Sequence, residues 1–109
     1  RMRVRSFEVS GVDDGDLRKL HDYLLETGGF EFRAGGSGFF VVVGERFAAA
    51  TGASFAQMVM AAREDDTINV DAVIAGGGND PAGELADVQR ATELVRGFAD
   101  RNGLTITDI

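Results

Sequence analysis

Between Gly38 and Gly78 the sequence reads as three successive β-strands with apolar residues on both of their faces. Phe39-Phe40-Val41-Val42-Val43 has no polar face at all, and a continuous apolar run of strand length means burial from both sides. A sheet of that kind needs two covers, whereas the rest of the chain supplies helices for one. The second cover is then a partner subunit, a bound apolar ligand, or a further segment of the same chain.

The helices are legible from spacing. Leu17, Leu20, Leu24 and Leu25 recur at helical intervals, with Asp13, Asp14 and Asp16 placed to cap the N-terminus and Gly28-Gly29 placed to end the helix. Asp80-Pro81 reads as an N-cap followed by a first-turn proline. Leu85, Val88, Thr92, Val95 and Ala99 then predict the buried stripe of a longer helix, flanked by Ala91 and Phe98 and closed by Asn102-Gly103. Leu104 to Ile109 is either a short strand or a tail.

The strands are less uniform. Met2 to Ser10 is β-like, but Met2 and Val4 have one parity and Phe7 and Val9 the other, which predicts a bulge near Arg5 and Ser6 or a strand starting only at Ser6. Phe30 and Phe32 alternate with Glu31 and Arg33 as a short strand with one buried face, joined by a glycine-rich turn over Ala34 to Gly38. Glu45-Arg46-Phe47 extends the following strand. Over Ser54 to Arg63 helix and strand compete, and the polar turn before the alternating strand Ile68, Val70, Ala72, Ile74 favours a hairpin. With Asp65-Asp66 as a two-residue loop, Ala61 faces Val70, Val59 faces Ala72 and Gln57 faces Ile74 on one side, while Met58 lies beside Val73 and Met60 beside Asp71 on the other. The expected architecture is a single α+β domain over residues 1–109: an antiparallel sheet with helices on one face, in the order βαββββα. TATA-binding-protein-like and helix-grip folds use a similar arrangement of elements, which does not assign a function.

Three stretches carry a family resemblance: Phe7-Glu8-Val9-Ser10-Gly11, Glu45-Arg46-Phe47, and Val70-Asp71-Ala72-Val73-Ile74-Ala75-Gly76-Gly77-Gly78. In these the chain resembles a family of small uncharacterised bacterial proteins of α+β type with no assigned activity. The resemblance implies that Ser54 to Arg63 is a strand, because the family places a hairpin just before the glycine triplet. The alanine-rich loop after Phe47 and the region after Asn79 depart from the pattern.

Composition narrows the function classes. The chain of 109 residues has a formal charge of −7 and no cysteine. Its acidity opposes nonspecific binding to nucleic acid, since phosphate affinity comes from clustered lysine and arginine. Disulfides and thiolate metal sites are excluded. Arg1, Arg3 and Arg5 alternate on one strand face and read as a solvated edge. With no basic-then-apolar leader and no run near the roughly 20 apolar residues of a membrane helix, a cytoplasmic protein without a membrane partner is expected.

Chemistry-bearing motifs are few. Gly76, Gly77, Gly78 and Asn79 outline a possible anion loop ahead of a helix, but Asp80 puts a carboxylate where the anion would sit and Pro81 removes a donor, so a plain turn is the simpler reading. His21 is the single histidine, and its neighbour Asp22 points about 100° away on a helix, which predicts no dyad. Ser37 lacks the strand-to-helix setting of a nucleophile elbow. The carboxylates Asp13, Asp14, Asp16 and Glu64, Asp65, Asp66 lack the ligand spacing of a calcium loop. No catalytic residue, metal ligand or cofactor is assigned. Phe39, Val41, Met58, Met60 and Val73 remain as candidates for a face that meets something apolar. The expectation is a noncatalytic module that self-associates through this face as a homodimer. One alternative is a binding protein for a small apolar ligand held between the sheet and the second helix. The other is an enzyme using His21 with a carboxylate from elsewhere.

Overall fold

In the computed structural model of the chain, residues 2–48, 52–76 and 81–109 are described, Ala48 by its backbone alone. The order is β1 (Met2–Ser10), α1 (Asp16–Gly28), β2 (Phe32–Gly36), β3 (Phe39–Ala48), β4 (Ala53–Glu64), β5 (Thr67–Gly76), α2 (Pro81–Arg101) and β6 (Thr105–Asp108). The six strands form one antiparallel sheet in the order β2-β3-β4-β5-β1-β6, with both helices against one face. The fold is thus α+β in the expected order with one further strand, because Leu104 to Ile109 pairs with β1 and extends the sheet sideways. Among the described residues no helix is long and apolar enough to cross a membrane.

The β4–β5 register follows from its two-residue turn. Glu64 pairs with Thr67 across Asp65-Asp66, which sets Ala61 opposite Val70, Val59 opposite Ala72, Gln57 opposite Ile74 and Met58 opposite Val73. Period-two alternation then sends Phe55, Gln57, Val59 and Ala61 of β4 to the helices, where all four are buried. Phe7, Val9, Phe40, Val42, Ile68 and Val70 join them from the other strands, packed with Leu20 and Leu24 of α1 and Ala91, Val95 and Phe98 of α2.

Four expectations are corrected. First, β1 pairs with β5 without a slip from Met2 to Ser10, so it contains no bulge. Its parity changes because Phe7 and Val9 face the helices while Met2 and Val4 face the other side. Second, Phe30 precedes β2 and is buried, whereas every residue of β2 is exposed and Phe32 lies on the face away from the helices. The strand also continues through Ala34, Gly35 and Gly36, leaving only Ser37-Gly38 as the turn. Third, the buried stripe of α2 runs through Glu84, Val88, Ala91, Thr92, Val95, Phe98 and Ala99, with Leu85 exposed. Glu84 takes the inward position because Arg3 of β1 lies 3.6 Å from its carboxylate; Arg3 is thus an ion-pair partner of the helix layer and no solvated edge. Arg5 likewise bonds Asp108 of β6 at 3.0 Å. Fourth, α1 is capped by the left-handed Gly15 without a side-chain bond, and the Asp16 carboxylate instead accepts the Asp13 N–H at 2.8 Å.

The junction between α1 and β2 is tight. A Cβ at Gly28 would meet the Phe30 ring at 2.6 Å, and that ring is backed by Gly44 of β3, where a Cβ would stand 3.4 Å away. A side chain at Gly28 therefore forces the buried Phe30 ring to shift. Gly28→Ala is expected to lower unfolding stability by about 1–3 kcal/mol, as overpacking does, measured as a reduced urea midpoint with an unchanged slope.

Candidate functional site

The sheet face opposite the helices is the largest feature without a cover, and its chemistry follows from the strand registers. One row runs Phe32–Val43–Met58–Val73–Val4 across β2, β3, β4, β5 and β1, apolar at every position. A second runs Ala34–Val41–Met60 and then turns polar at Asp71 and Ser6, whose hydroxyl bonds the Asp71 carboxylate at 2.5 Å. Phe39 and Ala62 lie to one side of these rows, and Ala56, Ala75 and Met2 to the other.

All five sequence candidates, Phe39, Val41, Met58, Met60 and Val73, therefore share this face. Phe32, Val43 and Val4 belong with them and were missed. Val43 has the parity of Val41, and the parity change within β1 was the signal for Val4. Five of the large apolar side chains that remain exposed belong here: Met2, Val4, Phe32, Phe39 and Phe47. Val73 retains only 9% of its accessible surface, screened by its neighbours. Among the described residues no element packs over the face, β6 included.

The charge on this face has one sign. Glu8, Glu45, Glu64 and Asp71 alternate onto it, while Arg3, Arg5, Arg33, Arg46 and Arg63 have the opposite parity and stand on the helix side. Among the described strand residues no lysine or arginine is presented by it.

A second feature is an open groove of about 450 Å³ between α1 and the β2–β3 hairpin. His21, Arg18 and Leu17 line it from the helix, and Arg33, Phe39 and Phe40 from the strands. His21 is buried and stands edge-on to Phe40, with ring centroids 5.3 Å apart. Its Nδ1 lies 2.8 Å from Asp22 Oδ1 and its Nε2 lies 3.2 Å from a guanidinium nitrogen of Arg33.

The expectation of no His21–Asp22 pairing is corrected. The two Cα–Cβ vectors diverge on the helix, but the side chains turn back to meet at its rim. These partners assign the neutral tautomer in which Nδ1–H donates to the carboxylate and Nε2 accepts from the guanidinium. Nε2 then has no lone pair left for a general base. Among the described residues, no serine, threonine or cysteine lines the groove.

The hydrogen bond from His21, helped by Arg18, holds the Asp22 carboxyl below the usual range despite some opposing desolvation. A depressed folded-state pKa contributes stability that is present above the unfolded-state value and is lost as pH falls through the folded one. Asp22 is half exposed, so the contribution is small. The Asp22 carboxyl carbon is expected to titrate below an ordinary aspartate by NMR, and His21→Gln should raise its midpoint toward that of the free side chain.

A third cluster lies where α2 crosses β3 and β4. Gln57 is buried and donates to the Asp87 carbonyl at 3.1 Å, while Arg90 donates to Gln57 Oε1 at 3.3 Å and to the Gly28 carbonyl at 3.0 Å. Desolvation raises the Asp87 carboxyl against the pull of Arg46 and Arg90, and desolvation together with the nearby Arg46 lowers the Arg90 guanidinium against Asp87. This network ties α2 to the end of α1. The space between α2 and the sheet is filled by Val88, Ala91, Val95 and Phe98.

Of the anion-loop candidates, Gly76 ends β5 in a left-handed conformation with φ 92°. Gly77, Gly78 and Asn79 lie outside the described residues. Among the described residues no three histidine, aspartate or glutamate side chains converge to hold a metal ion. Compared with protein-family models, curated proteins and solved structures, the chain matches none.

Proposed function

We propose that the chain is an association module whose uncovered sheet face meets the same face of a second copy, forming a two-fold homodimer. The observation that carries this reading is the unbroken row Phe32–Val43–Met58–Val73–Val4, which leaves apolar side chains of five strands without a helix, strand or loop over them among the described residues. Exposed contiguous apolar area of this kind marks an interaction surface. Four gaps of about 4.8 Å between its five strands make the face roughly 19 Å wide, and nine residues make it about 30 Å long, or about 570 Å², within reach of the roughly 600 Å² per partner at the lower end of stable interfaces.

A second copy suits the chemistry better than an unlike partner. The apolar rows run through the middle of the face, so a two-fold axis there sets apolar side chains against each other. Of the carboxylates on this face, Glu64 ends β4 at the rim, and Asp71 within β5 is engaged by the Ser6 hydroxyl. Methionine at Met58 and Met60 adapts to the irregular surface such a pairing makes. Because each copy carries −7, added salt screens their repulsion and strengthens association. Sedimentation velocity across micromolar concentrations tests the reading: a dimer that tightens from low to moderate salt is expected, and a strict monomer at every concentration and salt rejects it.

A further inference from the structure

We propose that the groove between α1 and the β2–β3 hairpin binds a small organic monocarboxylate bearing an aromatic or similar planar apolar group. Arg33 and His21 lie on the helix side of the sheet, away from the proposed dimer face, while Ala34 and Phe39 of the hairpin are groove residues that also belong to that face. Its capacity of about 450 Å³ is that of a small-molecule site, and its walls combine apolar and cationic groups. Leu17, Phe39 and Phe40 offer apolar contact, and Gly35 and Gly36 form a rim without side chains.

The specificity resides in Arg33. The chain has 18 acidic against 11 basic residues, so most cations can find a carboxylate. Arg18 pairs with Asp22 at 3.4 Å and Arg63 with Asp14 at 2.8 Å. Of the two arginines that line the groove, Arg18 is thus paired, whereas Arg33, like Arg90, Arg96 and Arg101 elsewhere, forms no ion pair with a carboxylate among the described residues; its polar contact is the neutral His21 Nε2 at 3.2 Å. One of its five N–H donors is used on the ring, which leaves several in a planar fork suited to a carboxylate. The ring is itself held by Asp22 and by its T-shaped contact with Phe40, so the guanidinium is aimed before a ligand arrives.

Charge sets the ligand's valence. One unpaired guanidinium neutralises one negative charge, while the Asp22 carboxylate behind His21 and the acidity of the whole chain oppose a dianion such as phosphate.

The experiment titrates 3-phenylpropionate into labelled protein while NMR follows the His21 ring and the Arg33 Nε–H. The neutral 3-phenylpropanamide and inorganic phosphate serve as comparison probes. Saturable shifts of both groups are expected with the acid, at an affinity at least tenfold above that of the amide. Arg33→Gln, at an exposed position on an edge strand, should keep the circular dichroism of the parent and weaken the acid by roughly 10- to 100-fold, the loss of a charged hydrogen-bonding partner, while leaving the amide unchanged. Absence of a saturable shift up to about 10 mM acid, well above millimolar affinity, overturns the proposal. Equal affinity for acid and amide, or unweakened acid binding by Arg33→Gln, overturns it as well. Phosphate matching the acid at His21 would refute the monocarboxylate assignment.

Discussion

Replacing Met58 by glutamate is expected to convert the proposed dimer into a monomer with its fold intact. Met58 sits in the apolar row between Val43 and Val73, at the centre of the uncovered face. A carboxylate there is solvated in the monomer and costs little. In the proposed dimer it would be desolvated among apolar side chains, and an unpaired buried charge costs several kcal/mol. The dimer dissociation constant should rise by more than about 100-fold, equivalent to some 3 kcal/mol, while far-ultraviolet circular dichroism and the urea midpoint of the monomer stay close to the parent. Gln89→Glu, on the exposed side of α2, adds the same charge and should leave association alone. A Met58→Glu protein that sediments as the parent does would remove the face from the interface.

Phe7→Ala should have the largest effect on stability, a loss of about 3–5 kcal/mol from deleting a buried aromatic side chain. Phe7 is fully buried between β1 and the helix layer, in the same cluster as Phe98 and Val95. Three residues earlier on the same strand, Val4 is 54% exposed on the opposite face. Val4→Ala should cost the monomer less than about 1 kcal/mol, within the range for exposed positions, and act mainly on association. Chemical denaturation at two protein concentrations separates them: the Phe7→Ala loss is the same at both, while the small effect of Val4→Ala depends on concentration. A severe, concentration-independent loss from Val4→Ala would mean that β1 does not present two faces.

The hairpin of β4 and β5 was legible because one local feature fixes it. A two-residue polar turn at Asp65-Asp66 sets the register, and period-two alternation then places every side chain, including Met58 and Met60 away from the helices. Asp65 adopts φ 55°, a left-handed value that aspartate tolerates better than most residues. What escaped the sequence depended on contacts between distant segments. Leu85 looks like a core residue by spacing, but Arg3, on the strand beside β5, draws Glu84 inward instead. The parity change in β1 looked like a bulge because a strand that spends its first half on one face and its second on the other gives the same pattern. His21 and Arg33 are twelve residues apart, on a helix and an edge strand, and no periodicity reports that the hairpin folds over α1. The final strand β6 was left open because its four residues acquire their conformation from pairing with β1.

Solvent access to the Met58 and Met60 methyl groups tests the central claim most directly. With methyl-labelled methionine and a soluble paramagnetic agent, both signals should be shielded at high protein concentration and become strongly relaxed on dilution, or at once in Val43→Glu protein. Methyl signals relaxed equally at every concentration would show an open face that no second copy covers.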